Sequence, residues 1–199
     1  MVIGYELHPG TLYLNVTNRC SNDCIFCVRR RPGFSLGGFD MRLAVEPNGR
    51  EVLDDIAHLE AARGLAFDEV VFCGFGEPTF RAPLVAEVGR SLRSRGVSVR
   101  LNTNGQAALI MDAPPMPLLE RAIDAVSVSL NAPDAAAYEA LCRPRYGRAA
   151  YDVMREFARQ AVETFQSVTL TVVGSTLDEA ALERCSAIAA ELGAHFRIR

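Results

Sequence analysis

Three cysteines lie within eight residues of one another, at Cys20, Cys24 and Cys27, in a loop rich in polar residues. A structural zinc site is usually closed by four ligands in two pairs, and no fourth Cys or His lies near this loop in the sequence. A 4Fe-4S cluster normally takes four thiolates, so three cysteines would leave one iron open to another ligand. The spacing therefore predicts a redox-active iron-sulfur cluster rather than three small buried apolar side chains.

Phe26 stands directly before the last of these cysteines, and the C-x3-C-x2-C loop resembles the hallmark of the radical S-adenosylmethionine (radical SAM) superfamily. The resemblance implies two cofactors, a 4Fe-4S cluster and S-adenosylmethionine. In that family the open iron binds the methionine part of the cofactor. The reduced cluster then cleaves the cofactor into methionine and a 5′-deoxyadenosyl radical, which abstracts hydrogen from a substrate. The resemblance thus implies an enzyme, with its substrate and further catalytic residues unassigned.

A glycine-rich turn follows the next predicted strand, at Gly74, Phe75, Gly76 and Glu77. It resembles the family's GGE motif, with Phe75 as a departure between the two glycines. Glycine lets a backbone approach a ligand closely, and the resemblance implies that carbonyl groups beside the Glu77 carboxylate accept hydrogen bonds from the cofactor's ammonium group. Taken alone, the turn would be an ordinary connection after a strand.

Polar residues also end the two strands that come next, in the segments LNTNG and SLN. Both segments resemble the family's ribose and methionine contacts, which makes four side chains candidates: Asn102, Asn104, Ser129 and Asn131. The alternative is turn chemistry, because Asn before Gly favours a turn whatever the ligand.

Two more candidates come from the same resemblance. Arg143 lies a short helix beyond Ser129, where related enzymes place an arginine on the methionine carboxylate, and its planar fork suits that anion. A surface arginine is the alternative. Val173, at the end of a strand, would pack on adenine, although an apolar strand residue belongs to the core by default.

Strand and helix patterns alternate along the chain, which predicts parallel strands joined by right-handed crossovers. Glycines mark several helix ends, and Thr176 with Glu179 fits a capping box. We expect six strands and four main helices, at 12–17, 69–73, 97–103, 125–131, 168–173 and 195–198, and at 51–63, 83–95, 151–165 and 179–192.

Several strands carry polar residues on one face, such as Tyr13, Asn15 and Thr17 in the first and Ser127, Ser129 and Asn131 in the fourth. Parallel strands covered on both faces usually read as continuous apolar runs. A closed eight-stranded barrel also fills its lumen with aliphatic side chains. We therefore predict an α/β fold, a partial, open (β/α)6 barrel with a polar lumen. A polar face turned to solvent is the alternative.

The composition suits one globular domain spanning 1–199, with 49% hydrophobic and 23% charged residues. A net charge of −3 and a pI of about 5.7 do not indicate a nucleic-acid or membrane partner. No signal peptide or long apolar run is evident, so we expect a cytoplasmic protein. Six cysteines in such a protein would be thiols rather than disulfides.

Two basic stretches, 29–33 and 143–148, would lie at the same strand ends and could attract an acidic or phosphorylated substrate. Solvated surface is the ordinary alternative. The implied reaction also needs an electron donor such as flavodoxin or ferredoxin. Of the other cysteines, Cys185 is expected in the core, whereas Cys73 and Cys142 are expected near the cofactor.

Across nearly the whole length, the motifs most resemble the radical SAM proteins associated with TatD-type nucleases. Glycyl-radical activating enzymes and carboxy-deazaguanine synthase are alternative relatives, although the latter usually departs from the C-x3-C-x2-C spacing. A non-enzyme alternative is a cluster-binding or zinc-binding interaction module. Such a module has no reason to place polar motifs at successive strand ends, so the pattern favours the enzyme.

Overall fold

The computed structural model describes residues 3–30, 35–36 and 38–199. Among the described residues, seven strands form one sheet: β1 Gly4–His8, β2 Thr11–Leu14, β5 Glu69–Phe72, β6 Ser98–Thr103, β7 Ala125–Ser129, β8 Ser167–Val172 and β9 His195–Ile198. Two further strands, β3 Ser35–Leu36 and β4 Phe39–Asp40, form a separate hairpin. The order in the large sheet is β1-β2-β5-β6-β7-β8-β9. In it only β1 is antiparallel to its neighbour, and every other pair is parallel.

Helices fill the crossovers between the parallel strands. Asp178 caps the last helix, because its side chain accepts a hydrogen bond from the Ala181 N–H at 2.8 Å. The predicted capping box from Thr176 is therefore wrong, since Thr176 bonds the Val173 carbonyl instead. The helices are α1 Gly49–Arg63, α2 Ala82–Ser94, α3 Ala107–Met111, α4 Met116–Leu119, α5 Ala135–Cys142, α6 Ala149–Thr164 and α7 Glu179–Leu192.

The six predicted strands form the parallel part of the sheet, and the four main helices lie where they were expected. The α/β fold with a partial, open barrel is thereby confirmed. The antiparallel edge strand β1 and a small hairpin, β3 Ser35–Leu36 with β4 Phe39–Asp40, were not predicted. Both are short and mostly exposed, so they lack the run of apolar residues that reveals a buried strand.

The two faces of the sheet differ in polarity. The helix-covered face carries the core, with Leu14, Phe72, Leu101, Val126 and Val168 in register across five strands. The opposite face carries polar residues in register, among them Asn102, Ser127 and Thr169. Residues from both rims of the sheet line one concave cavity of about 430 Å³ on this face. This polar concave face is the predicted lumen.

None of the helices in the described part of the chain is long and apolar enough to cross a membrane.

Candidate functional site

The cysteine loop follows β2, at the edge of the sheet where the parallel strands end. Cys20, Cys24 and Cys27 are all half-buried free thiols. Within the loop the N–H of Cys27 donates to the carbonyl of Cys24 at 3.2 Å, which closes a turn between the last two cysteines. The loop therefore presents three thiols from one compact segment.

The end of α5 holds this loop from one side through backbone hydrogen bonds. The N–H of Asp23 donates to the Cys142 carbonyl at 3.0 Å, and that of Ile25 donates to the Leu141 carbonyl at 2.9 Å. A third bond runs the other way, from the Arg145 N–H to the Ser21 carbonyl at 2.8 Å. The path of the loop is thus set by a segment far away in the sequence.

A buried polar network fixes the centre of the loop. The Asn22 side-chain N–H donates to the Tyr138 hydroxyl at 3.0 Å, and the Gln106 amide donates to the Asn22 Oδ1 at 2.7 Å and to the same hydroxyl at 3.0 Å. All three residues are buried. The Gln106 Oε1 alone of this network has no partner among the described residues, and the three bonds hold Asn22 in one conformation.

Two arginines brace the loop from within. Arg29 donates to the carbonyls of Asn18 and Asn22, each at 3.1 Å, and so links both sides of the segment. Arg30 pairs with Asp23 at 2.5 Å and donates to the Cys24 carbonyl at 3.0 Å. The described part of the first basic stretch is thus used by the loop itself, and 31–33 lie outside the described residues.

Glu77 is the buried anion of the glycine-rich turn, with 3% of its surface exposed. Its carboxylate accepts hydrogen bonds from the hydroxyls of Thr79 (2.8 Å) and Thr103 (2.7 Å) and from the N–H of Asn104 (2.7 Å). Burial raises the pKa of Glu77, although these hydrogen bonds oppose the shift. The donors come from the chain itself, so the carboxylate ties the turn to the end of β6.

Gly74 and Gly76 allow this turn to pass close to the residues that lead into the cysteine loop. A Cβ atom on Gly74 would lie 2.2 Å from the Asn15 Oδ1, and one on Gly76 would lie 2.3 Å from the Thr17 carbonyl oxygen. Phe75 is buried between them and packs with Tyr5 and Met41. The two glycines therefore let the turn pack closely against another segment of the same chain. The motif thus has a packing role.

Asn104 connects the turn to the cysteine loop. Its side-chain N–H donates to the Ser21 hydroxyl at 2.8 Å and lies 4.0 Å from the Cys20 sulfur. Asn102, two residues earlier, lies on the concave face instead, where its Oδ1 accepts from Arg100 at 3.0 Å. The two asparagines therefore serve different parts of the site.

Asn131 provides an unusual buried acceptor beyond the end of β7. The residue is 3% exposed and has a left-handed backbone, with φ of 57°. Its side-chain N–H donates to the Cys142 sulfur at 3.6 Å. Within the described part of the chain, its Oδ1 has no hydrogen-bond partner. An unpaired buried oxygen of this kind fits a donor from a bound ligand.

The remaining predicted residues lie around these groups. The Ser129 hydroxyl receives a bond from Arg199 at 3.4 Å, while Phe26 packs against the main core. Val173 is partly buried at the end of β8. Arg143 ends α5 with φ of 46°, and its exposed guanidinium makes no hydrogen bond or ion pair with the described residues. The structure brings Arg143 to the loop through its backbone, not its side chain.

Cys142, which was expected near the cofactor, lies within hydrogen-bond reach of Cys24 in the cysteine loop. Its hydrogen bond with Cys24, together with burial, raises the pKa of Cys24. Burial and the nearby Glu77 charge raise the pKa of Cys20 to about 12. Metal ligands must be thiolates, so loading of this loop would release protons. Cys185 is fully buried in α7, as expected.

The donor set fits an iron-sulfur cluster. No three His, Cys, Asp or Glu side chains among the described residues are grouped as they would be around a single metal ion. In a 4Fe-4S cluster each thiolate binds a different iron, so the sulfurs need not converge on one point. The unpaired Asn131 oxygen near the loop also fits a cofactor with hydroxyl or ammonium donors.

A family model named "Radical SAM superfamily" matches residues 14–185. The chain is similar to a "probable GTP 3′,8-cyclase" of Halobacterium salinarum, with 28% identity over 155 residues that cover 75% of this chain and 38% of that protein. It is also similar to the tungsten-containing aldehyde ferredoxin oxidoreductase cofactor-modifying protein of Pyrococcus furiosus, with 29% identity over 120 residues, 60% of this chain and 30% of that protein.

Among solved structures, SuiB of Streptococcus suis bound to its precursor peptide SuiA shares the fold with a TM-score of 0.70 and 18% identity, covering 96% of this chain and 39% of SuiB. The chain spans well under half the length of each of these three proteins. Because the family model covers most of the 199 residues, the chain belongs to the radical SAM superfamily, and this membership indicates that it is an enzyme.

Proposed function

We propose that the chain holds a site-differentiated 4Fe-4S cluster through Cys20, Cys24 and Cys27 and uses it to cleave S-adenosylmethionine. Membership in the family implies both cofactors. When bound and reduced, they supply a 5′-deoxyadenosyl radical that abstracts hydrogen from a substrate. The observation that carries the proposal is the placement of three half-buried thiols beside the Glu77 and Asn104 network, at the strand ends above a polar concave face.

The cofactor-binding residues divide into two roles. Asn131 is the strongest candidate for direct contact, because its buried Oδ1 lacks a partner in the described structure. Glu77 positions Asn104 and the glycine-rich turn, since its carboxylate is occupied by donors of the chain. The other candidates for cofactor contact are Phe26, Gly74, Phe75, Gly76, Asn102, Asn104, Ser129, Arg143 and Val173.

We also propose a domain organisation, a subfamily, a compartment and partners for the chain. The family match and a sheet running from Gly4 to Ile198 support one radical SAM core domain over 1–199. The motif resemblance supports a place among the TatD-associated proteins. Six free cysteines support a reducing compartment such as the cytoplasm. We propose a flavodoxin or ferredoxin as electron donor, and an anionic substrate, a class to which the GTP in one relative's name also belongs.

We expect Arg143→Ala to weaken S-adenosylmethionine binding by about tenfold, the cost of losing one charged hydrogen bond of about 1.4 kcal/mol or more. The exposed guanidinium has no partner among the described residues and is free to take the cofactor carboxylate. Titration of the reduced protein, followed by electron paramagnetic resonance, measures both affinity and the spectral shift caused by cofactor binding to the cluster.

Arg121→Ala is the matched control, because the Arg121 side chain is 85% exposed on another surface. An unchanged affinity for S-adenosylmethionine in Arg143→Ala would show that Arg143 is a surface residue that does not contact the cofactor. If the cofactor shifts the spectrum of no variant, including the unaltered protein, the proposed function itself is wrong.

A further inference from the structure

Arg197 of β9 and Arg199, which follows directly after β9, lie across the concave face of the sheet. The Arg197 guanidinium donates to the Ser127 hydroxyl at 3.3 Å, and the Arg199 guanidinium donates to the Ser129 hydroxyl at 3.4 Å. Both serines belong to β7, and β8 lies between β7 and β9. Each side chain therefore spans about 10 Å over the sheet, two strand spacings, while both residues remain exposed along the open side of the cavity.

Among the residues that the structure describes, these two charges have no counter-ion in the cavity. Glu69 is the one acidic side chain among the described residues that line it, and both its oxygens bind Arg100 at 2.9 Å. Neither Arg197 nor Arg199 makes an ion pair with the described residues. Burial and the neighbouring Arg197 charge lower the pKa of Arg199, although an arginine stays charged at neutral pH. The cavity therefore keeps an excess of positive charge.

The rest of the cavity suits a small polar molecule. Its volume of about 430 Å³ lies in the range of small-molecule sites. The opposite rim contributes His8, Thr11 and Tyr13. Paired guanidinium forks favour carboxylate and phosphate oxygens, with which they form hydrogen bonds shorter and stronger than the present contacts to serine.

We propose that Arg197 and Arg199 form the anion-binding end of the substrate site and that the substrate carries a carboxylate or a phosphate. The inference deepens the proposed function and rests on it, because it takes the concave face below the cysteine loop as the place of the substrate. It also moves anion recognition from the first basic stretch, where the cysteine loop already uses Arg29 and Arg30, to the rim of the cavity at β9.

Anaerobic calorimetry of the reconstituted full chain tests this site with inorganic phosphate and malonate as probes. We expect one saturable site for at least one probe, and a loss of about tenfold or more in its affinity in Arg197→Gln and in Arg199→Gln. Arg197→Lys keeps the charge but not the fork and should fall between. Arg121→Gln, on an exposed side chain, should match the unaltered protein. The tighter probe identifies the anionic group of the substrate.

S-adenosylmethionine affinity and iron content are measured in the same variants. Iron content should stay within about twofold of the unaltered protein in every variant, which also shows that the variants fold. Cofactor affinity should stay within about twofold in Arg197→Gln, because Arg197 bonds Ser127 and not the candidate cofactor contact Ser129. If neither probe saturates, or if the variants bind the probe normally, the anion site is wrong. It is equally wrong if cofactor affinity falls together with probe affinity in Arg197→Gln, because the arginine would then serve the cofactor.

The cysteine variants separate this inference from the proposed function. Cys20→Ala should lose the cluster and still bind the probe, since the Arg197 and Arg199 guanidinium groups bond Ser127 and Ser129 and make no hydrogen bond to the described part of the cysteine loop. An unaltered protein that binds the probe but no cluster would refute the proposed function alone. A protein with cluster and cofactor but no probe binding would refute the anion site alone.

Discussion

Replacing Cys20, Cys24 or Cys27 with alanine is expected to abolish the cluster, whereas the unaltered protein should carry about four irons per chain after anaerobic reconstitution. Each thiolate would hold a different iron, and the described residues near the loop offer one further thiol, Cys142. Iron and sulfide analysis with the charge-transfer absorption of the cluster gives the measurement. Stoichiometric zinc without that absorption would contradict the assignment.

Two control variants test whether other cysteines hold the cluster. Cys185→Ala changes a thiol buried in α7 and should keep its iron. Cys142→Ala is the more demanding control, because this thiol is hydrogen-bonded to Cys24. It should also keep the cluster if the fourth iron is reserved for the cofactor. Cluster loss in either control would show that the ligands were chosen wrongly.

Glu77→Ala is expected to destabilise the whole edge of the sheet. The change leaves the Asn104 N–H and the hydroxyls of Thr79 and Thr103 without their acceptor in a buried place. Unsatisfied buried groups cost about 1 to 3 kcal/mol each, so with partial relaxation we expect the free energy of unfolding to fall by roughly 2 to 4 kcal/mol. Denaturant unfolding of the metal-free protein measures this loss directly.

The matched variants for Glu77 are Glu77→Gln and Glu69→Gln. Glutamine keeps one acceptor oxygen at the turn but points an N–H₂ group at other donors, so it should cost somewhat less than alanine. Glu69→Gln alters a half-buried carboxylate bound to Arg100 and away from the cysteine loop. If Glu77→Ala unfolds like the unaltered protein and loses only cofactor affinity, Glu77 contacts the cofactor and does not position the turn.

The sequence allowed the parallel sheet to be predicted because its strands are buried on one face and polar on the other. Successive residues of a strand face opposite sides of the sheet, so Arg197 and Arg199 lie on the face opposite Phe196 and Ile198. Their position on the polar face could therefore be predicted from the sequence of β9 and the residue that follows it. The sequence did not reveal that the two arginines lack a counter-ion. That lack depends on Glu69 pairing with Arg100, 31 positions away.

The candidate site was predicted from the spacing of its three cysteines and from the resemblance of its glycine-rich turn to the family's GGE motif. What the spacing could not reveal is how the loop is held. The bond from Asn22 to Tyr138 joins residues 116 positions apart, and no local pattern marks either residue. The bonds of Arg29 to two loop carbonyls could not be predicted from the sequence either, since a run of arginines after the loop is typical of exposed surface.

Product analysis tests most directly whether the chain cleaves S-adenosylmethionine reductively, as we propose. Reconstituted protein is incubated anaerobically with S-adenosylmethionine and dithionite, and 5′-deoxyadenosine and methionine are quantified by mass spectrometry. We expect both products in equal amounts, dependent on the reductant and absent in Cys20→Ala. Protein that carries about four irons and binds the cofactor, yet forms no 5′-deoxyadenosine above the Cys20→Ala level, would contradict the account.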